Sequence, residues 1–290
     1  QMCIRDRATS ASLSVNALID DVDGGSRTGS AVDAARHPGL LDPALVAELA
    51  ATRGLRLLGA EPPVTGRTTV VFEPRFAATL LGIVAGMLSG ERVAKGRTPF
   101  ADRVGEAVAT GRLNLADDPT DPASLGASPH DGEGIATRAV PLVVDGELAG
   151  YLHDAHSARS LGVASTGSAV RSVRGTPSPG HRSLQVGAGE GDLGSLVAGV
   201  DDGLLVCSLQ GLHSGVNPVS GDFSVGVEGV RIRDGELAEP VREGTLAGAI
   251  PRLLHDISAV GADLERQPGG ARVPSLVVEG LVLGGEGPDR

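Results

Sequence analysis

Apolar residues recur at helical spacing between Leu41 and Leu58, where Leu41, Leu45, Val46, Leu49, Leu55 and Leu58 form one stripe. Asp42-Pro43 stands at the head of that stretch as an N-cap followed by proline at the first helical position, so the pattern predicts a single amphipathic helix. Glu61-Pro62-Pro63 breaks it, and the β-branched, bounded run Thr68-Thr69-Val70-Val71-Phe72 predicts a buried strand. Phe76 to Leu88 is apolar on every side, which predicts a buried helix rather than one lying on the surface. It contains Gly82 and Gly86, each costing about 1 kcal/mol against alanine in a helix interior, so the pair implies close backbone packing or a distorted turn. Phe100 to Ala109 reads as a second, shorter helix, and Leu113 to Pro119 as a strand running into a turn.

Strand signals dominate the second half. Val143-Val144-Asp145-Gly146-Glu147-Leu148 places Asp-Gly between apolar residues and predicts a hairpin within Val140 to Leu152. The same Asp-Gly-Glu-Leu string returns at Asp234 to Leu237, which turn chemistry explains better than an internal repeat. Arg171 to Gly180, rich in Ser, Pro and Gly, predicts a loop. Leu204 to Leu209, Phe223 to Val227 and Leu276 to Val278 read as strands, and Thr245 to Val260 as a helix with Pro251 near its first full turn or at a kink. Together these elements predict an α+β fold of mixed, largely antiparallel sheets with a few long helices. A boundary near Pro63 divides the chain into 1-63, the remnant of a preceding or central domain, and 64-290. The opening Gln1 to Arg7 differs in character from the Ala/Gly/Val-rich chain after it and reads as a non-native start, so Cys3 carries no functional weight.

Composition narrows the classes. With 41% apolar residues in 290 the chain can bury one large core or two modest ones, and no apolar run reaches the roughly 18 residues that suggest a membrane span. A net charge of −11, from 25 basic and 36 acidic residues, disfavours nucleic acid as a partner, and no clustered basic face is visible. Cys3 and Cys207 are the two cysteines, too few for a disulfide framework and without the spacing of a structural zinc site. Gln1 to Arg7 is charged and no apolar signal-peptide core comes after it, so a cytoplasmic location is expected.

Several short motifs then occur in one order: Asp131-Gly-Glu-Gly134, Gly150-Tyr-Leu-His-Asp154, Ser157-Ala158, Ser165-Thr-Gly167, Gly211-Leu-His-Ser-Gly-Val-Asn-Pro-Val-Ser-Gly-Asp-Phe-Ser-Val-Gly226, Glu239-Pro-Val241 and Pro274-Ser-Leu276. In this order the chain resembles the TldD/PmbA family, whose PmbA members are also called TldE, from about Leu41 to Gly285. The resemblance implies the TldD/PmbA C-terminal domain over 64-290, with the family's N-terminal domain not represented. It also implies a two-subunit zinc metallopeptidase, a heterodimer in which the TldD-type chain holds the metal through a His-Glu-x-x-x-His helix and a cysteine near the C-terminus. Two neutral imidazoles and a thiolate would leave a fourth zinc position for water, and the glutamate would take that water's proton as it attacks a peptide carbonyl.

Laid over this chain, the two histidine positions fall on Gly82 and Met87, the glutamate on Ile83, and the cysteine region near Gln267 to Gly270. No histidine occurs between His37 and His130, so shifting the alignment locally restores nothing. The expectation is therefore a PmbA/TldE-like subunit that is not catalytic alone, with no catalytic or metal-binding residue and no cofactor of its own. Zinc is expected in the TldD-type catalytic partner, and an extended peptide as the substrate of hydrolysis. The alternative is a self-associating regulatory or peptide-binding protein that keeps the fold without peptidase activity.

Four other groupings have functional and plain structural readings. His153-Asp154-Ala-His156 could be drawn as a metal cluster, but as residues at the end of a strand they read better as hydrogen-bonding groups. Cys207 and His213 could be a nucleophile and base, whereas a lone cysteine in an apolar strand reads as core. Ser165 to Ser168 lacks the lysine and glycine spacing of a phosphate loop, and Asp131 with Glu133 reads as loop chemistry or arginine partners. The loop of His213, Ser214, Asn217 and Asp222 stays open between two readings: contact with a peptide or partner, or a self-bonded turn that fixes the fold.

Overall fold

The computed structural model describes residues 8–22 and 24–285, which leaves the expected non-native start, with Cys3, outside the described residues. The chain begins with a hairpin of β1 (Ala11–Asp20) and β2 (Ser26–Ala35), followed by α1 (Pro43–Leu55). Next come β3 (Gly66–Phe72), α2 (Pro74–Met87), α3 (Gly90–Ala94), β4 (Leu115–Asp117), β5 (Val140–Val144) and β6 (Glu147–Leu148). The middle holds α4 (Ala155–Leu161), β7 (Ala169–Val170), β8 (Ser178–Pro179), β9 (Leu184–Val186) and α5 (Leu193–Ala198). Three longer strands come next: β10 (Asp202–Gln210), then, after α6 (Leu212–Gly215), β11 (Asp222–Arg233) and β12 (Glu236–Ala249). The described chain closes with α7 (Ile250–His255), β13 (Ile257–Val260), β14 (Glu265–Arg266), β15 (Arg272–Val273) and β16 (Leu276–Gly284). Among the described residues no helix is long and apolar enough to cross a membrane.

The expected α+β architecture is what the strands build. The principal sheet runs β12-β11-β10-β3-β16-β13, and it closes because Thr245–Ala247 of β12 also pair with Val282–Gly284 of β16. Its pairings are antiparallel except for β10 with β3. A second sheet, β14-β15-β9-β4-β5-β6, lies alongside. One face of the closed sheet, with Val70, Phe72, Leu204 and Val278, packs on α2 and the second sheet in one large core. The other face, with Val71, Leu205 and Val277, packs on Leu196, Val197 and Val200 from α5 and the residues after it. Residues of opposite parity in β3 thus face different layers, as strand geometry requires.

Local sequence explains the sharp features. Asp42 caps α1 by accepting from the amides of Ala44 and Leu45, with Pro43 in the first turn. Both Asp-Gly hairpins form two-residue turns with positive φ at both central residues: 49° and 81° at Asp145-Gly146, 50° and 77° at Asp234-Gly235. That is the geometry whose twist matches the flanking strands. Glu73, at the head of α2, caps no amide; its buried carboxylate pairs with Arg53 and Arg56 at the end of α1 and with Arg75. Arg75 also donates to the Cys207 carbonyl at 2.7 Å, so the cluster joins α1, α2 and β10.

Two expected helices are absent. Phe100 to Ala109 is a series of turns, because its backbone groups bond to β6: the Gly105 amide donates to the Leu148 carbonyl, and the Leu148 amide to the Glu106 carbonyl. Asp102 at φ 58° and Gly105 at φ 87° depart from helix altogether. Thr245 to Val260 is three elements: the end of β12, the short α7, and β13. Pro251 does open the helical part. The preceding residues are held as strand by β11 on one side and β16 on the other, and Gly248 leaves room for Leu281 and Phe223, which a Cβ there would meet at 2.8 and 3.1 Å. Helical periodicity in that segment yields to two-sided sheet pairing.

Candidate functional site

Helix α2, on which the family resemblance places the metal positions, is brought against the other two expected parts of the site. It packs on β9 and β15, and the turn Gln267 to Gly270 leads directly into β15. Its Leu80 and Ile83 also line a cleft with Leu212 and Val216 of the 211 to 226 loop and with Leu209, Phe223 and Val225. Three segments far apart in sequence therefore meet here. The cleft leaves a cavity of only about 20 Å³, space for about one water.

Each position in α2 has its own surroundings. Met87 is 1% exposed and belongs to the main core, whereas Ile83 is half-buried and packs at the cleft. Gly82 faces elsewhere: a Cβ there would lie 3.8 Å from Nε2 of His181. Positions five apart on an ideal helix stand about 140° apart. Gly82 and Met87 accordingly address different neighbours, an imidazole and a closed apolar core. Burial holds the His181 pKa below the usual imidazole range, with nearby Asp117 opposing that shift. Burial pushes the Asp117 carboxyl up, although the amides of Ser183 and Arg182 bond to it at 2.6 and 2.9 Å.

The donor set does not fit a zinc ion. Gly82, Ile83 and Met87 present hydrogen, hydrocarbon and a buried thioether where imidazole and carboxylate chemistry would be needed. At the turn before β15 the backbone itself excludes a thiol at Gly270. That residue has φ 90°, and a Cβ would approach the Arg182 carbonyl oxygen at 2.6 Å. Among the described residues no three His, Cys, Asp or Glu side chains are grouped so that they could hold a metal ion.

In the 211 to 226 loop much of the polar chemistry is internal. Asn217 Oδ1 accepts from the amides of Val219 and Ser220, Ser220 Oγ donates to Asp222 Oδ2 at 2.7 Å, and Ser214 Oγ donates to the Gly211 carbonyl. These bonds build a self-supporting Asx turn. His213 is exposed on α6 and Ser214 beside it, so of the four candidates these two are best placed to meet another molecule.

The remaining groupings resolve as structural. Asp131 accepts from the amides of Glu133, Ile135 and Ala169, and Glu133 from that of Ala155, so both carboxylates brace loops. Asp154 caps α4 through the Ser157 amide, with His153 buried before it and His156 exposed after it. Ser165 and Thr166 donate to the His153 carbonyl, which makes that segment a turn wrapped on His153. Cys207 is 6% exposed in β10, and burial together with Glu73 pushes its thiol up to about 11. It is core. The feature that sequence reading missed is His181, which lies in the Gly-His-Arg-Ser stretch before β9 with no spacing to mark it.

Comparison with known proteins agrees with this architecture. Residues 65–285 match the family model described as the PmbA/TldA metallopeptidase C-terminal domain. The chain belongs to that family. It is 30% identical over 235 residues to the metalloprotease PmbA of Escherichia coli O157:H7, covering 79% of this chain and 50% of the relative. It is 28% identical over 244 residues to the metalloprotease TldD homolog of Buchnera aphidicola, again 79% of this chain and 50% of the relative. Among solved structures it is similar to TldE from Thermococcus kodakarensis, with a TM-score of 0.88 and 29% identity over 95% of this chain and 63% of that one. The chain thus spans about half the length of these curated relatives.

Proposed function

We propose that this chain is the non-catalytic, PmbA/TldE-like subunit of a two-subunit TldD/TldE-type zinc metallopeptidase. A TldD-type partner supplies the zinc and the general base, and the assembly hydrolyses unfolded or short peptides in the cytoplasm. The observation that carries the reading is the make-up of α2, where Gly82, Ile83 and Met87 offer neither imidazole nor carboxylate and Met87 is locked into the core. With such a helix, the chain's own contribution is to wall the chamber and hold substrate backbone, with His213 and Ser214 exposed polar groups beside the apolar cleft.

The test is to purify the chain alone and with a coexpressed TldD-type chain, then measure bound zinc and peptide cleavage. The expected result is no stoichiometric zinc and no turnover for the chain alone, with both appearing in a one-to-one complex with the partner. Zinc or turnover in the isolated chain refutes the proposal. Association with itself alone, without the catalytic partner, would instead establish the self-associating binding protein.

A further inference from the structure

Residues 11–58, the β1–β2 hairpin with α1, have a core of their own. Ala31, Val46 and Ala50 pack with Leu13, Val15 and Ala17, and none of these belongs to the cores on the two faces of the principal sheet. β1 and β2 pair with each other, and among the described residues no backbone hydrogen bond joins residues 11–58 to residues 62–285. Polar contact across the seam comes from arginines. Arg36 Nη2 donates to the carbonyls of Ser124, Leu125 and Ala127, at 2.7, 3.3 and 3.5 Å, and Arg53 and Arg56 reach the buried Glu73 carboxylate at 3.5 and 3.2 Å. Of the buried apolar side chains described before Gly59, Leu57 alone crosses, and it packs on Cys207 and Val230.

Gly59 lies between two tethers that belong to different bodies. Its amide donates to both carboxylate oxygens of Asp21, at 3.0 Å each, which fastens it to the hairpin. One residue later the Ala60 carbonyl accepts from Arg242 Nε at 2.8 Å, and Glu61 bridges to Val241 of β12, which fastens the chain to the principal sheet. Gly59 has φ 71°, and nothing stands within 4 Å of the place a Cβ would take. The backbone bond that spans it, from the Ala60 amide to the Leu57 carbonyl, is long at 3.3 Å. A glycine with open space, tied to one body before it and to another after it, is the kind of position that absorbs a hinge rotation.

We infer that residues 11–58 form a hinged lid: the hairpin and α1 swing as one body about Gly59, held shut by the Glu73 latch and the Leu57 plug. Opening bares Cys207, Val230 and the head of α2 while the principal sheet stays folded. A seam of one buried apolar side chain and a few charge-assisted bonds parts before a core does, because the guanidinium groups and the carboxylate recover water as they separate. Glu73 stands just before Pro74, the first residue of α2, and also pairs with Arg75, so the position of the lid is coupled to the start of that helix. The assignment goes beyond the accessory-subunit reading and depends on neither zinc nor a partner.

The test uses the full chain, with Cys207 as the reporter. Its labelling by iodoacetamide at pH 8 is timed across sub-denaturing urea concentrations, while circular dichroism follows global unfolding. In the wild type Cys207 is expected to react slowly, through a rare opening whose dependence on urea is less than about half that of global unfolding, since a seam exposes far less surface than a core. Glu73→Gln is expected to speed labelling about tenfold, because three guanidinium groups are left without the carboxylate they bond. Arg56→Gln, on the lid and one-third exposed, is expected to speed it about threefold with the global urea midpoint held. A urea dependence equal to that of global unfolding, or labelling unchanged in both variants, overturns the proposal. Should Glu73→Gln fail to fold, the wild-type urea dependence and Arg56→Gln still decide it.

Discussion

Met87→His places an imidazole at one of the family's metal positions, and the surroundings of that position determine how this chain will respond. Met87 is 1% exposed, so the substitution removes a thioether packed in the main core and leaves two ring nitrogens without a nearby partner. The lost apolar burial costs about 1–2 kcal/mol, taking part of the usual value for a full methionine side chain because the ring carbons still fill some of the space. Unsatisfied polar burial adds about 1–3 kcal/mol. The sum, about 2–5 kcal/mol, corresponds to a fall in melting temperature of roughly 3–8 °C for a chain of this size. Thermal unfolding followed by circular dichroism reads the loss, and elemental analysis after dialysis against zinc reads the metal. Met87→Leu, which conserves volume, is expected to cost under about 1.5 kcal/mol. Should Met87→His retain wild-type stability or acquire stoichiometric zinc, the conclusion that this face of α2 is built for packing is wrong.

Three further outcomes rest on the same geometry. Gly270→Ala is expected to destabilise by about 2 kcal/mol or more, since φ 90° and the 2.6 Å approach to the Arg182 carbonyl both oppose a Cβ; chemical denaturation of the variant beside Gly269→Ala, where nothing lies within 4 Å, checks it. His153 and His181 both have native pKa values depressed by burial, so the unfolded chain takes up protons first as pH falls below about 6.5. Their stabilising contribution is complete above that value and is lost as pH drops through the native pKa values, so midpoints of denaturation should fall between pH 7.5 and 5, and less steeply in His181→Gln. Cys207, at 6% exposure and pushed up to about 11, should resist iodoacetamide at pH 8 in the native chain and react once unfolded; peptide mapping that finds rapid native labelling at this position would contradict its place in the core.

Local chemistry made several elements readable before any coordinates. Asp-Gly specifies a turn with positive φ at both central residues, Asp42-Pro43 specifies a helix start, and an apolar run without charge specifies burial of α2. The absence of donors at Gly82, Ile83 and Met87 is likewise a property of the chain alone, because no fold can supply an imidazole where the sequence has hydrogen. Those features depend on neighbours in sequence.

The two misread helices show where that reach ends. Phe100 to Ala109 and Thr245 to Ala249 have apolar spacing compatible with a helix, but their backbone hydrogen bonds are taken by β6, and by β11 and β16, across long sequence separations. The site divides in the same way. Sequence order marked α2 and the 211 to 226 loop separately, yet only the closed sheet packs Ile83 beside Leu212 and Val216 and sets His181 under Gly82. Residue types settled which chemistry the chain has to offer. Tertiary structure settled which of those groups are consumed by the fold and which remain free to meet another molecule, since pairing and burial are decided by whatever the folded backbone brings alongside.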